Sequence, residues 1–434
     1  MNNALALPRS STVDGKSSPV IDQQASHRQA SVTAMRTAPA AKPQSPVHVE
    51  VFTSFEAAAS IWASLEQGGH GSVYQTQAWC RTWFEHCADA ATHQPLIISI
   101  SLGGEPALLL PLYACPDGMG LSVARFMGDD HCNARVALTS SDPKAQSDLL
   151  ELGQNGDLMK SIEAAIAAQT NVAHMFLDAM PEAFNGVLNP LAISGWTRSP
   201  AVTFVGKLQC DFDALCSERL KTSARSQLRR KQKKLVGHGD VSFQWEHSPD
   251  IISAALDTFF EQKSARQHMH KATSNFDSET NRNFVRALAK SPSGVDAKPL
   301  LELFTLRHNG DVIALLGGAR HNKAYSLALL SITSQEQLDR YSPGVLALQQ
   351  LVKELCADGL TLFDFGLGEL RYKRTWGDRQ ELRTVSRAIR PLGKLSYARL
   401  RASEVIRSFI LADEKRAQKA RALRYTLHKL RGKT

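Results

Sequence analysis

Apolar positions along the chain change period in a repeating order. Phe55, Ala58, Ile61, Trp62 and Leu65 fall on one side of a helix predicted over 55–67. The stretch from Tyr74 to Phe84 opens a second helix with an aromatic face. Residues 95–102 and 107–112 are strand-like runs joined by Gly103-Gly104, which predicts a hairpin. A third strand region follows around 121–138. Leu158, Ile162, Ala165 and Ile166 keep a period near 3.6 and predict a helix over 157–169. His174 to Asp178 then reads as a strand.

The second half repeats this order. Leu301 to Leu306 runs into Asn309-Gly310, and Val312 to Gly318 is the return strand. Ala324 to Ile332 is another strand. Val345, Leu348, Val352 and Leu355 predict a helix over 343–357, with Gly359 as its stop signal. Leu360 to Phe365 closes the series as a strand, and like 174–178 it carries an Asp after apolar residues. The match in order predicts duplication of one α/β unit; two unrelated mixed domains are the other reading. A helix over 250–267 and a long helical tail over 397–430 complete the pattern. In that tail Ala420, Leu423, Leu427 and Leu430 give a short apolar seam.

Composition adds size and charge to this picture. A chain of 434 residues with 43% apolar and 21% charged residues has enough apolar surface for two ordinary cores. No apolar run approaches a bilayer span. Residues 1–47, rich in Ser, Ala, Pro and Gln, lack a continuous apolar leader and are expected to be disordered and the protein cytoplasmic. Seven scattered cysteines have no zinc or redox spacing and are expected to be reduced, with no metal bound. The net charge is +9, and residues 391–434, with twelve Lys/Arg and three Asp/Glu, carry all of it. Such a tail favours an anionic surface, here a weak membrane or partner contact. Arg219 to Lys234 adds eight Lys/Arg in sixteen positions with no acid, as a solvated basic helix or an RNA-phosphate contact.

Tyr341-Ser342-Pro343-Gly344 at a helix start, Phe363-Asp364-Phe365-Gly366 on the closing strand, then Tyr372-Lys373 and Trp376-Gly377, form a pattern similar to a known one. It resembles the GNAT-like acyltransferases grouped with CelD-type cellulose-biosynthesis proteins and the FemAB-like peptidyltransferases. Tyr74-Gln75 with Trp79 and Trp83, then Ala107 to Leu112, resembles the family's opening. The resemblance covers about 51–390. It implies a tandem GNAT-like α/β fold, with units over 48–203 and 204–390 and a basic helical tail over 391–434. It implies acetyl-CoA or a longer acyl-CoA as co-substrate or, in the FemAB branch, aminoacyl-tRNA. The acetyltransferase phosphate signature carries two glycines, whereas Arg340 to Val345 supplies one.

An anion at a helix start needs free backbone N–H groups and the positive dipole end. Ser342 suits the N-cap and Pro343 the first helical position. Gly344 permits close approach, Val345 follows in the first turn, and Arg340 offers a charged donor; an ordinary helix start is the plain alternative. Acyl transfer needs a proton acceptor for the amine, an oxyanion site and a proton for the thiolate. The fold resemblance implies that amides of 324–332 polarise the carbonyl and that Tyr372 is the general acid. Asp364 and Glu369 are the nearest carboxylates, and Lys373 could contact an anionic acceptor or cofactor. Asp130, His131 and Asn133 form a dense polar segment expected to face the seam between the units. His131 is the base candidate, because imidazole titrates near neutral pH. Arg266, His268 and His270 end the 250–267 helix and are weaker acceptor contacts. Each of these reads equally as a local structural residue.

The function expected is an acyl-CoA-dependent N-acyltransferase acting on a small-molecule or glycan-precursor amine, in cell-envelope or exopolysaccharide metabolism. The alternatives are an aminoacyl-tRNA-dependent transferase and a non-catalytic accessory protein of polysaccharide synthesis.

Overall fold

Twelve strands of the computed structural model lie along one continuous sheet path, and their order explains the repeated pattern. The structure describes residues 47–269, 275–290 and 299–411, with scattered positions from 413 to 426. These all fall in one compact unit, Pro43–Thr434. The expected disorder of 1–47 lies outside the described residues except at Val47. That residue opens β1 (Val47–Phe52).

In the first half, β1 is followed by α1 (Ala59–Gly68), α2 (Gln77–Cys87) and the hairpin of β2 (Gln94–Leu102) and β3 (Glu105–Pro116). Then come β4 (Ser122–Phe126), α3 (Pro143–Asn155), α4 (Asp157–Gln169), β5 (His174–Pro181) and β6 (Thr197–Lys207). In the second half, α5 (Phe212–Arg219) and α6 (Thr222–Val236) precede β7 (Val241–Glu246), α7 (Pro249–Met269) and α8 (Glu279–Ala289). The hairpin of β8 (Glu302–His308) and β9 (Asp311–His321) leads to β10 (Ala324–Ile332). After it come α9 (Glu336–Asp339), α10 (Pro343–Ala357), β11 (Leu362–Leu367), α11 (Arg371–Trp376), β12 (Asp378–Ala388) and α12 (Gly393–Leu411).

The sheet order is β1-β2-β3-β4-β5-β12-β6-β11-β10-β9-β8-β7, with a short strand Leu138–Thr139 paired to β3. Pairing is antiparallel except at β4–β5 and β10–β11, which are parallel. Each strand of the first half therefore has a counterpart six strands later. The two halves exchange their last strands. β6 leaves the first half to pair with β11, and β12 returns to pair with β5, while β6 and β12 pair with each other. Position 203/204, expected as the unit boundary, falls inside β6. The fold is thus a mixed α/β tandem of two similarly ordered units that share one sheet, with C-terminal helices.

Three apolar clusters hold the layers. One joins the units: Trp62, Tyr74, Trp79 and Trp83 from around α1 and α2 meet Phe259, Phe260 and Phe284 of α7 and α8. On the other face, α3 and α4 bury Leu149, Leu158, Ile162 and Ile166 over the first half of the sheet. α10 buries Leu348, Leu351, Val352 and Leu355 over the second half. Each such side chain contributes roughly 1.5–3 kcal/mol through burial.

Several sequence expectations change at their edges. The helix expected from Tyr74 begins instead at Gln77. Val73–Gln75 is a separate single turn, and the Thr76 hydroxyl caps α2 by accepting from the Trp79 amide. The strand region expected over 121–138 ends at Phe126, where Gly128 at φ 95° turns the chain. The expected tail helix starts earlier, at Gly393. Of the 420–430 seam, Leu427 and Leu430 lie outside the described residues.

Candidate active site

The parallel ladder between β10 and β11 lasts three pairs, Ala324↔Leu362, Tyr325↔Phe363 and Ser326↔Asp364. Beyond it the strands part, and the backbone groups of β10 that face β11 lose their ladder partners, while β10 stays paired to β9. Polar side chains from both halves gather at this fork.

Asp364 stands at its apex, 1% exposed. Its Oδ1 accepts from the Gly366 amide at 2.8 Å, while Oδ2 is buried without a hydrogen-bond partner. The hydroxyls of Ser326 and Thr203 favour the charged form without meeting Oδ2 in hydrogen-bonding geometry. Burial dominates and pushes the carboxyl up to about 6, against the pull of the Gly366 amide and Lys373. Lys373, in α11, is 4% exposed and donates to the Gly366 and Leu367 carbonyls at 3.0 and 2.7 Å. Burial brings its ammonium down to about 8; Asp364 opposes that shift and Lys263 adds to it. Lys263, on α7, donates to the Leu330 carbonyl at 3.3 Å, and burial lowers its pKa too.

The first half supplies the other wall. The Asn133 amide donates to the Tyr74 hydroxyl at 2.9 Å and to the Leu327 carbonyl at 3.2 Å, just past the end of the ladder. Tyr74 is fully buried, and burial followed by the Asp364 charge holds its hydroxyl well above the usual phenol range. Gln75 secures the Asn133 loop by donating to the Ala134 carbonyl at 3.0 Å. Gly366, at φ 72°, lies against this loop; a Cβ there would sit 2.7 Å from Asn133 Nδ2. Only glycine fits that close approach in the left-handed region.

Beside the fork lies a pocket of about 180 Å³ lined by Trp79, His131, Asn133, Phe284, Ala328 and Leu329, with Asp130 at its edge. His131 packs on Phe284 with ring centroids 5.0 Å apart, and its Nε2 is buried without a partner. Burial brings its pKa down to about 4. Imidazole with that pKa is neutral at pH 7 and a poor acceptor for an amine proton, contrary to the base role expected for it. Asp130 is exposed.

The start of α10 departs from expectation. Ser342 occupies the left-handed region at φ 57°, and its hydroxyl does not cap the helix. Instead it accepts from Lys231 Nζ of α6 at 2.6 Å. Gly344 faces Ile332, whose Cδ1 would lie 2.4 Å from a Cβ, so packing already requires that glycine. Pro343 takes the first helical position as expected, and Val345 donates to the Ser342 carbonyl at 2.9 Å. Arg340 is exposed and lies over the Tyr341 ring at 4.9 Å. Arg266 pairs with Asp339 at 3.6 Å, beside this segment rather than beside Asp130.

Other expected site residues stand apart from the fork. Glu369 is exposed and pairs with Arg374 and Arg379, so surface ion pairs account for it. The Tyr372 ring packs against the α10 cluster, and burial pushes its hydroxyl up to about 12. His268 ends α7, outside the polar cluster just described, and His270 lies outside the described residues. Among the described residues no group of three or more His, Cys, Asp or Glu could hold a metal ion. Tyr74, Ser326, Lys231 and Lys263 are the site-lining residues that sequence reasoning did not single out. The basic run over 219–234 was the one signal for Lys231. Tyr74 appeared only within the Tyr74-Gln75 family resemblance, with no role, and Ser326 and Lys263 have no local signature.

Comparison with known proteins bears on this geometry. Residues 222–374 match the model of the acetyltransferase (GNAT) domain, a span that includes α10, the fork and Lys373. No curated protein matches the chain. Among solved structures, FemX aligns at 11% identity with a TM-score of 0.50, covering 77% of this chain and 96% of its own, which shows the fold. L-PGS from Bacillus licheniformis aligns at 11% identity and a TM-score of 0.40, covering 70% of this chain and 87% of its own. A tandem GNAT protein from the clavulanic acid biosynthesis pathway aligns at 11% and 0.38, covering 79% and 98%. Residues 222–374 thus resemble the acetyltransferase (GNAT) domain, which supports a transferase, and the fold is shared with FemX.

Proposed function

We propose that the chain moves an acyl group from a coenzyme-A thioester to an amine at the β10–β11 fork. The observation that carries this reading is the buried Asp364–Lys373 pair where the parallel ladder ends. The donor's phosphates lie at the start of α10, where Lys231 and Arg340 add positive charge to the helix dipole. Ser342 leaves the first-turn amides without a side-chain cap, and Lys231 beside a positive helix end favours an anion between them. The thioester carbonyl then meets the freed backbone of β10.

In the transfer, the amine nitrogen bonds to the carbonyl carbon and the carbon–sulfur bond breaks. Asp364, ionised above about 6, takes the amine proton; Lys373, charged below about 8, protonates the leaving thiolate. A thiol near 8.5 and an ammonium near 8 are well matched for that second step. Tyr372, held at about 12, is the weaker acid candidate. Asn133 and Tyr74 position the fork from the first half. The side pocket with Asp130 and His131 receives the acceptor or the acyl chain.

Calorimetry with acetyl-CoA and longer acyl-CoAs tests this reading. Binding that Lys231→Ala weakens supports it, and no binding by any of them overturns it. The exposed basic face of α6 favours aminoacyl-tRNA as the second donor reading. Salt-sensitive tRNA binding without acyl-CoA binding would select it. Unchanged cellular function of an Asp364→Asn, Lys373→Met double variant would select the accessory role instead.

A further inference from the structure

The helix after the last strand, α12, has two unlike faces. Its inner face is anchored to the sheet. Ser396 is fully buried and its hydroxyl lies 3.2 Å from His174 Nδ1 of β5. Gly393 lies so close to the residue that precedes β5 that a Cβ would fall 1.8 Å from the Ala173 carbonyl oxygen. Arg401 donates to the Thr197 hydroxyl of β6 at 2.8 Å. The opposite side is apolar and bare. Leu395, Ala402, Val405, Ile406 and Phe409 recur at spacings of seven, three or four along one stripe. Leu395, Val405, Ile406 and Phe409 are 58%, 62%, 59% and 63% exposed. On a helical projection Lys394 and Arg399 flank the stripe on either side. A continuous apolar strip of this kind on a helix is unusual without a partner.

We infer that this stripe docks the chain on an anionic lipid surface. The choice of occupant follows from charge. Residues 391–434 carry twelve Lys/Arg against three Asp/Glu. Glu404, the single acid of α12, is turned inward and bonded to Arg401. Two copies of this segment laid together would repel, whereas an anionic headgroup layer supplies the countercharge that the segment lacks. An apolar stripe with basic flanks is the pattern that settles at the headgroup boundary, with Phe409, Ile406 and Val405 entering the acyl region. No described helix is long and apolar enough to cross a membrane, so the contact is parallel to the surface. The apolar contact also lies earlier than the 420–430 seam expected from sequence, on a helix already fixed to the sheet.

Co-sedimentation of the full chain tests this. One set of vesicles is phosphatidylcholine alone, the other phosphatidylcholine mixed with phosphatidylglycerol. The expected result is binding to the mixed vesicles, little to the neutral ones, and release by salt. Ile406→Glu with Phe409→Glu should weaken binding by about tenfold or more, and Ile406→Ala with Phe409→Ala by less. Circular dichroism unchanged in both double variants shows that the fold is kept. No binding, equal binding to both vesicle types, or binding indifferent to both double variants overturns the inference. So does a concentration-dependent dimer in sedimentation velocity that either double variant abolishes, which would assign the stripe to a second copy.

Discussion

The two forks of this sheet share a topology and differ in what fills them. In the first unit β4 and β5 pair in parallel for two residues before parting, as β10 and β11 do for three. There Arg135 lies between them, ion-paired to Asp178 and donating to the Asp129 carbonyl at 2.7 Å. Its side chain is 6% exposed. The helix that follows is capped as well: Asp142 accepts from the Ala145 amide at 2.8 Å, which brings a carboxylate to the start of α3. In the second unit Asp364 keeps an unpartnered oxygen, Lys373 bonds carbonyls rather than a carboxylate, and Ser342 leaves α10 uncapped. A closed ion pair stabilises a position, whereas an open one can exchange protons with a ligand. The same duplicated strand-end Asp thus serves structure in one unit and, on our reading, chemistry in the other.

The largest expected effect breaks the second fork. Lys373→Met should lower kcat by about 10²- to 10⁴-fold with the fold intact, measured as thiol release from acyl-CoA. Arg135→Met should do the reverse. It leaves Asp178 without its partner and should cost about 3 kcal/mol or more in urea unfolding, with little change in kcat for the folded fraction. If Arg135→Met abolishes turnover in protein that remains folded, the division between the forks is wrong.

The pH dependence sharpens the same contrast. Activity should fall below about 6 as Asp364 is protonated and above about 8 as Lys373 loses its proton, the two limbs belonging to the pair. Asp364→Asn should erase the acidic limb in kcat/KM. The sign for stability is opposite to that of a salt-bridged carboxylate. Because burial raises the Asp364 pKa, its contribution to folding is lost as pH rises from about 4 to about 6. Urea unfolding across that window should slope less in Asp364→Asn.

Smaller effects follow at single backbone and surface positions. Gly366→Ala meets both a positive φ and Asn133, whereas Gly186→Ala meets a positive φ of 83° in open space. Both should lose about 1–2 kcal/mol of stability, and Gly366→Ala alone should also lose turnover. Lys231→Ala should weaken acyl-CoA binding by about 1 kcal/mol, less at high salt.

Much of the fold was legible in the chain. The Gly103-Gly104 hairpin, the helix over 157–169 and the helix over 343–357 appear at the expected positions, because their apolar periods are unbroken. The exchanged strands were not anticipated. β12 carries few apolar residues, and a register shift between Arg383 and Val385 breaks its alternation. The candidate site was half legible. Asp364 stood out as a carboxylate within an apolar strand, Lys373 in the motif that follows it, and Asn133 in a dense polar segment. Ser326 is ordinary in sequence, and Tyr74, marked there only by the family resemblance, takes its place at the fork only when the units close on each other. The roles expected of Glu369, His131 and Ser342 depended on local pairing and burial, which no residue pattern encodes.

Hydrogen exchange of the full chain with and without saturating acetyl-CoA tests the single-fork account most directly. The expected result is protection of the Gly344 amide at the start of α10 and of β10 past Ser326, with no change in α3 or between β4 and β5. Protection at the first fork, or none at α10, would contradict it.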